Sequence, residues 1–228
     1  MKPRPTCAPG WRPVGAALAL LLLGACGALK PLLAPATHPK SYALAEGPDA
    51  VTPPAPAPAA MTALTLIVSP PHAASGFDSQ RMVYLRRADE LQYFAYNEWI
   101  DTPSRMLAPL IVSAVNASGA FRAVVQTPSP ATGDLRLDAE ILRLQQEFFD
   151  SPSKVRFTLR AYIVDVTTRR VVATREFEAL AAAPSEDARG GVTAAHAAVR
   201  SVLKELAEFC AQTARQSSPR AAPAPVAR

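Results

Sequence analysis

Apolar and polar residues alternate along most of the chain between residues 61 and 182, and this period of two predicts a β-sheet with one covered and one solvated side. The clearest strand places its apolar residues on one face: Leu135, Leu137, Ala139 and Ile141. The predicted strands occupy residues 41–45, 63–69, 81–85, 91–99, 120–126, 134–149, 154–166 and 171–182.

Two segments instead repeat their apolar residues at steps of three and four, the period of an α-helix. The first has Pro103 at its first helical position and extends to Gly119, and Pro109 predicts a kink or a late helix start because it removes an internal hydrogen bond. The second follows Glu186 and Asp187, whose charges suit a helix N-terminus. Its apolar positions are Val192, Ala195, Val199, Val202, Leu206, Phe209 and Thr213.

These elements predict an α/β (α+β) fold, a single domain with a mostly antiparallel or mixed sheet and two helices packed on one face. The chain is 49% apolar, which is enough for one hydrophobic core. The three cysteines are Cys7, Cys26 and Cys210. We expect the first to be lost with a signal and the second to be lipidated, so that no internal disulfide can form.

The segment before the predicted domain has the pattern of an export signal. Lys2, Arg4 and Arg12 precede an apolar run of ten residues from Val14 to Leu23. This run is too short to span a membrane, which takes about 20 residues. A basic start, a short apolar core and small residues at its end are typical of a secretory signal.

The signal ends in Leu23-Gly24-Ala25-Cys26, which resembles the lipobox of bacterial lipoproteins. We expect the signal peptidase to cut between Ala25 and Cys26, and diacylglycerol and an N-acyl chain to modify the cysteine. We expect no other cofactor. Such an acyl anchor holds a protein on a membrane without a transmembrane helix. Gly27, where Asp would retain a lipoprotein in the inner membrane, favours the outer membrane and its periplasmic face.

Composition divides the chain into four parts. Residues 1–25 are the signal peptide, and residues 26–40 are a tether whose Pro and Ala content favours extended chain. The domain occupies residues 41–215, with a Pro/Ala-rich insertion at about 48–60. Residues 216–228 are predicted to be a disordered tail.

Charge and residue clusters exclude several classes of function. Removal of the signal leaves 21 Lys and Arg against 19 Asp and Glu, a net charge of +2, without a basic cluster for nucleic acid. His38, His72 and His196 are scattered and show no metal-binding spacing. Asp78 and Ser79 lie near His72 in the sequence but lack the pattern of a catalytic triad. We therefore predict neither a metal site nor catalytic residues.

The aromatic residues concentrate in residues 81–106, where Tyr and Trp suggest an interface. The candidate partner-binding residues are Arg81, Tyr84, Tyr93 and Trp99. Strand alternation leaves a second interpretation open, in which one set of aromatic side chains is core, and it favours Phe94 and Tyr96 for that set.

The lipobox, the strands "YAL" and "TLIVSPP", and the stretch "RMVYLRRADELQYFAYNEWIDTPSRM" together resemble the ABC-type transport auxiliary lipoprotein family, the PqiC-like lipoproteins. The resemblance covers roughly residues 41–212. It implies a non-enzymatic part of an MCE-type ABC system that moves phospholipids between the inner and outer membranes. Its partners would be a periplasmic MCE-domain protein and the ABC permease and ATPase. A homo-oligomer is left open.

Two other functions remain compatible with the sequence. One is a lipoprotein that regulates an envelope enzyme, such as one of cell-wall synthesis. The other is a direct lipid carrier, which would need an enclosed apolar cavity. The proteins that co-purify with the chain would distinguish docking from regulation, and bound lipid would reveal a carrier.

Overall fold

Nine strands and two helices follow one another along residues 38–44 and 62–217, the part of the chain that a computed structural model describes. The elements are β1 (Lys40–Tyr42), β2 (Thr65–Val68), β3 (His72–Ala73), β4 (Arg81–Arg87), β5 (Glu90–Trp99), α1 (Pro103–Ala117), β6 (Ala123–Gln126), β7 (Leu135–Glu147), β8 (Lys154–Asp165), β9 (Val171–Ala182) and α2 (Ala188–Ser217). The signal, the Pro/Ala-rich insertion, most of the tether and nearly all of the predicted tail lie outside the described residues.

The long strand β7 organises a mixed sheet. On one edge it pairs antiparallel with β8, and β8 pairs antiparallel with β9. Its other edge is parallel to three short strands in succession, namely β2, β3 and β4. Beyond these, β6 pairs with β2, β5 pairs with β4, and β1 pairs with the last three residues of β5. The predicted α+β fold with a mixed sheet and two helices is confirmed.

One large core lies between a sheet face and both helices. The four alternating residues predicted for β7 are all buried there, together with Phe157, Leu159 and Ile163 of β8. All seven apolar positions predicted for α2 are buried as well. Helix α1 contributes Leu107 and Ile111, which are completely buried. The periodicity therefore predicted the core-facing sides of β7 and α2 correctly.

The start of α1 differs from one of the sequence expectations. The helix begins at Pro103, where a missing N–H costs nothing, and continues through the exposed Pro109 to Ala117. The expectation of a late start is therefore wrong. Pro109 lies in the helix interior, where its ring deletes a backbone hydrogen bond.

Helix α2 begins after Asp187, one of the two acidic residues that the sequence placed at its start, and Asp187 is its N-cap. The Oδ1 atom of Asp187 accepts hydrogen bonds from the Gly190 N–H at 2.8 Å and the Ser185 hydroxyl at 2.7 Å. The other acidic residue, Glu186, instead accepts the Ser153 N–H at 2.9 Å and so fixes the turn between β7 and β8.

Candidate partner-binding surface

The hairpin of β4 and β5 brings together most of the aromatic residues that the sequence marked. Val83 lies opposite Tyr93, Tyr84 opposite Gln92, and the two strands are joined by a turn at residues 88–89. Only the middle of β4 is paired with β7, and only the end of β5 is paired with β1. Much of the hairpin therefore extends to the solvent.

Several large apolar side chains on and just after β5 are exposed. Tyr96 is 62% exposed, Ile100 60%, Leu91 44% and Tyr93 38%. Exposed apolar residues concentrated in this way are typical of a contact surface. With Arg81, these four residues define what we call the hairpin surface.

Arg81 and Tyr93 form a cation–π pair within this surface. The guanidinium carbon lies 5.0 Å from the ring centroid, which is within the usual range for an attractive contact. Both side chains remain exposed, so the pair presents a flat aromatic ring and a charge together. Tyr and Arg are the residue types that most often dominate binding at interfaces.

Tyr84, the other predicted tyrosine, lies in a separate aromatic cluster. Its ring centroid is 4.7 Å from that of Phe94 and 5.8 Å from that of Phe148. The guanidinium of Arg86 lies 5.9 Å from the rings of Tyr84 and Phe148. Because Tyr84 is only partly exposed, we assign it to the packing that supports the hairpin and not to a contact with a partner.

The fourth candidate, Trp99, is 4% exposed and belongs to the core. Its backbone N–H donates to the Gln80 carbonyl at 2.7 Å, which fixes the base of the hairpin. The expectation that Trp99 contacts a partner is not compatible with this burial. The second interpretation, which favoured Phe94 and Tyr96 as core, is half right. Phe94 packs against the core, whereas Tyr96 is the most exposed large apolar residue in the described part of the chain.

Two pockets in the described part of the chain are small. A space of about 10 Å³ lies between Met82, Phe94, Trp99 and Gly191. An open depression of about 140 Å³ lies beside Phe149, Lys154 and Leu180. Neither approaches the roughly 300 Å³ at which cavities for small ligands begin.

Side chains that could bind metal are dispersed in the structure. The described residues contain no group of three or more His, Cys, Asp and Glu side chains suited to a metal ion. The imidazole Nε2 of His196 lies 2.9 Å from the Ala43 carbonyl oxygen, which links α2 to the chain after β1.

No helix within the described ranges is long and apolar enough to cross a membrane.

Lipidation at Cys26 and cleavage after Ala25 lie outside the described residues and stay predictions. Within the described chain, the sequence did not single out Leu91 and Ile100. Leu91 shares a strand face with Tyr93, so the alternation that selected Tyr93 could also have found it. No comparable signal marks Ile100, which follows the end of β5.

A family model described as the ABC-type transport auxiliary lipoprotein component matches residues 42–207. This range includes every strand after β1, all of α1 and the first 20 of the 30 residues of α2. No curated protein matches the chain.

Solved structures provide similar folds. A protein from Xanthomonas campestris is 27% identical, with a TM-score of 0.64 over 71% of this chain and 92% of that one. An uncharacterized protein is 12% identical, with a TM-score of 0.54 over 79% of this chain and 99% of that one. The second similarity shows the fold alone.

Proposed function

The chain belongs to the ABC-type transport auxiliary lipoprotein family, and from this membership we propose that it is a non-enzymatic docking component of an MCE-type phospholipid transport system. The observation that carries the proposal is the family match, which extends over residues 42–207 and thus nearly the whole described domain. In this proposal the chain binds the periplasmic MCE-domain protein, while a separate permease and ATPase supply transport and energy.

The hairpin surface supports docking as the role of the domain. It offers exposed Tyr93 next to Arg81, and exposed Tyr96 further along β5, on a hairpin held by a buried base at Trp99. A rigid platform with aromatic and Arg side chains loses little conformational entropy on binding. We assign the partner contact to this surface, with Trp99 as a supporting residue.

The proposed location is the periplasmic face of the outer membrane. Acyl chains on Cys26 would provide the anchor, and Gly27 at the next position favours sorting to the outer membrane. Replacing Cys26 by Ser is expected to release the protein from the membrane fraction. A Cys26→Ser protein that stays membrane-bound with its signal removed would contradict the acyl anchor.

The decisive experiment is a mild-detergent purification of the tagged, lipidated protein from its native envelope, with the co-purified proteins identified by mass spectrometry. MCE, permease and ATPase subunits are the expected result. A cell-wall synthase in their place would favour the regulatory alternative, and stoichiometric lipid without protein would favour a carrier.

The contact itself is tested with Tyr93→Ala/Tyr96→Ala. We expect at least a tenfold loss of MCE protein in the purification, since aromatic anchors at interfaces are each worth about 2 kcal/mol or more. The matched control is Val171→Ala/Val172→Ala, which also removes two exposed apolar side chains, 56% and 45% exposed, but on β9. Equal losses for both variants would remove the hairpin surface from the proposal.

A further inference from the structure

Charged residues are distributed unevenly between the two sides of the domain. On the open face of the sheet, three arginines are paired with carboxylates. The pairs are Arg136 with Asp138, Arg156 with Glu147, and Arg160 with Glu176, at N–O distances of 3.0, 2.7 and 3.0 Å. Because these three cations are neutralised in place, they have little attraction left for an anionic partner.

The solvent side of α2 differs, because its cations lack such partners. Arg200, Lys204 and Arg215 are exposed, and within the described chain none of them forms an ion pair. Arg189 is also exposed and makes no ion pair, although it lies near Asp187. These four residues define the basic stripe of α2.

Helical geometry aligns the basic stripe. Arg200 and Lys204 are one turn apart, and Arg189 and Arg215 lie about three turns beyond them on either side. At about 1.5 Å per residue the stripe is about 39 Å long. Two acidic residues are also exposed on this helix: at about 100° per residue, Glu205 lies towards the edge of the exposed face, whereas Glu208 lies about 20° from Arg215. The exposed face therefore carries four cations against two carboxylates and keeps a positive balance.

The proposed acyl anchor keeps the domain near a membrane, and this indicates which surface the basic stripe contacts. Residues 27–40 could span about 40 Å when extended, so an anchored domain can rest on the lipid surface. The sequence after α2, residues 218–228, adds Arg220 and Arg228 and contains no acidic residue. A linear array of exposed cations is complementary to a flat anionic surface, where each cation strengthens binding about fivefold.

We infer that the basic stripe lies against anionic phospholipid headgroups of the membrane that holds the acyl anchor. The inference rests on the proposed anchor at Cys26 and goes beyond the docking role. It adds an orientation, since α2 faces the membrane while the hairpin surface, on other elements, is left for the partner. An acidic partner protein is the competing occupant, and the experiment separates the two.

The test uses the mature chain with Cys26→Ser, so that no acyl group contributes. Sedimentation with vesicles of phosphatidylcholine plus phosphatidylglycerol is compared with pure phosphatidylcholine, at low and at high ionic strength. We expect binding only to the anionic vesicles, and its loss at high salt because the attraction is screened. Arg200→Glu/Lys204→Glu should weaken binding at least tenfold, since each cation is worth about fivefold.

The matched control is Arg169→Glu/Arg170→Glu, the same charge change in the exposed turn between β8 and β9. It should leave binding within about twofold. If charge reversal disturbs the helix, the milder Arg200→Gln/Lys204→Gln replaces it as the test variant. No preference for anionic vesicles, or equal effects of the two reversals, would overturn the inference. The inference would also be overturned if Arg200→Glu/Lys204→Glu abolished binding to an acidic partner protein but left binding to the vesicles unchanged. The assay contains no MCE protein, so its failure leaves the docking proposal intact.

Discussion

At the scale of single residues, close packing around Gly191 determines how α2 approaches the sheet. The amide nitrogen of Gln146 donates to the Ser153 hydroxyl at 2.9 Å and to the Asp187 carbonyl at 3.3 Å. A Cβ at position 191 would overlap the Oε1 atom of the same amide. Glycine therefore allows the helix to pack directly on a buried polar side chain.

Gly191→Ala should consequently destabilise the protein, although alanine is the better helix former. We expect the free energy of unfolding to fall by about 1–3 kcal/mol, the usual cost of overpacking. Urea denaturation measures it, with the exposed Thr193→Ala on the same helix as the control. An unchanged or higher stability would show that Gln146 moves aside at no cost.

Asp187 is the second residue with a defined local role. Hydrogen bonds from the Gly190 N–H and from the Ser185 hydroxyl hold the pKa of its carboxyl below the ordinary value of 3.8. Because the folded state favours the ionised form, this stabilisation is present above the unfolded pKa and is lost as the pH falls through the folded one.

Asp187→Ala should lower the free energy of unfolding by about 1 kcal/mol at neutral pH, as loss of an N-cap does. The deficit relative to the wild type should shrink as the pH falls below about 4. Denaturation across this pH range checks both statements, with Asp187→Asn as the variant that keeps a cap without the charge. A deficit independent of pH would assign the effect to something other than the carboxylate.

At the scale of elements, the three strands β7, β8 and β9 are joined on their open face by an ion-pair network. Glu147 receives two hydrogen bonds from Arg156, at 2.7 and 3.2 Å, and one from Gln145 at 2.8 Å. Burial raises the pKa of Glu147, but these donors outweigh burial and leave the pKa below its ordinary value. Arg156 also bonds to Glu178 on β9.

Arg156→Met should therefore leave a nearly buried carboxylate without its cation. We expect a loss of about 2 kcal/mol near neutral pH, because an unpaired charge is costly to bury. The pKa of Glu147 should rise, so the deficit should diminish as the pH is lowered and the carboxyl is protonated. Glu147→Gln/Arg156→Met is the control and should recover part of the stability. A double variant no better than the single one would argue against the unpaired charge.

Helix α1 gives a second prediction at this scale. Pro109 is exposed within the helix and cannot donate to the backbone. Pro109→Ala should raise the free energy of unfolding by about 1–3 kcal/mol, which thermal and urea denaturation can measure. Ser113→Ala, exposed one turn later, should change it little. A less stable Pro109→Ala protein would mean that the packing of α1 requires the proline.

At the scale of the whole molecule, Cys210 reports on global unfolding. The thiol is buried inside α2, and burial raises its pKa to about 12. In the mature Cys26→Ser chain it is the only cysteine, and the thiolate that reacts with reagents is scarce in the folded state. Labelling at pH 8 should therefore proceed at the rate of global unfolding and accelerate with urea. Rapid labelling of the native protein would reveal a local opening of α2.

The aromatic residues of β5 show where prediction from sequence reached its limit. Strict alternation places Phe94 and Trp99 on opposite faces, since they are five residues apart. In the structure both contact the core, because the pairing of β4 with β5 shifts register between Arg81 and Val83. Such a bulge inserts extra residues and reverses the alternation beyond it. That shift exposes Tyr96 and buries Trp99.

The sequence by itself determined the type and approximate extent of each long strand and helix, the buried faces of β7 and α2, and the family. These properties follow from local periodicity, which depends only on neighbouring residues. Tertiary structure alone decided that β2, β3 and β4 line one edge of β7 and that the hairpin shifts register. It also decided that Arg136, Arg156 and Arg160 on the sheet face meet carboxylates, whereas the exposed cations of α2 do not. Each of these depends on contacts between residues far apart in the chain, whose pairing no local pattern specifies.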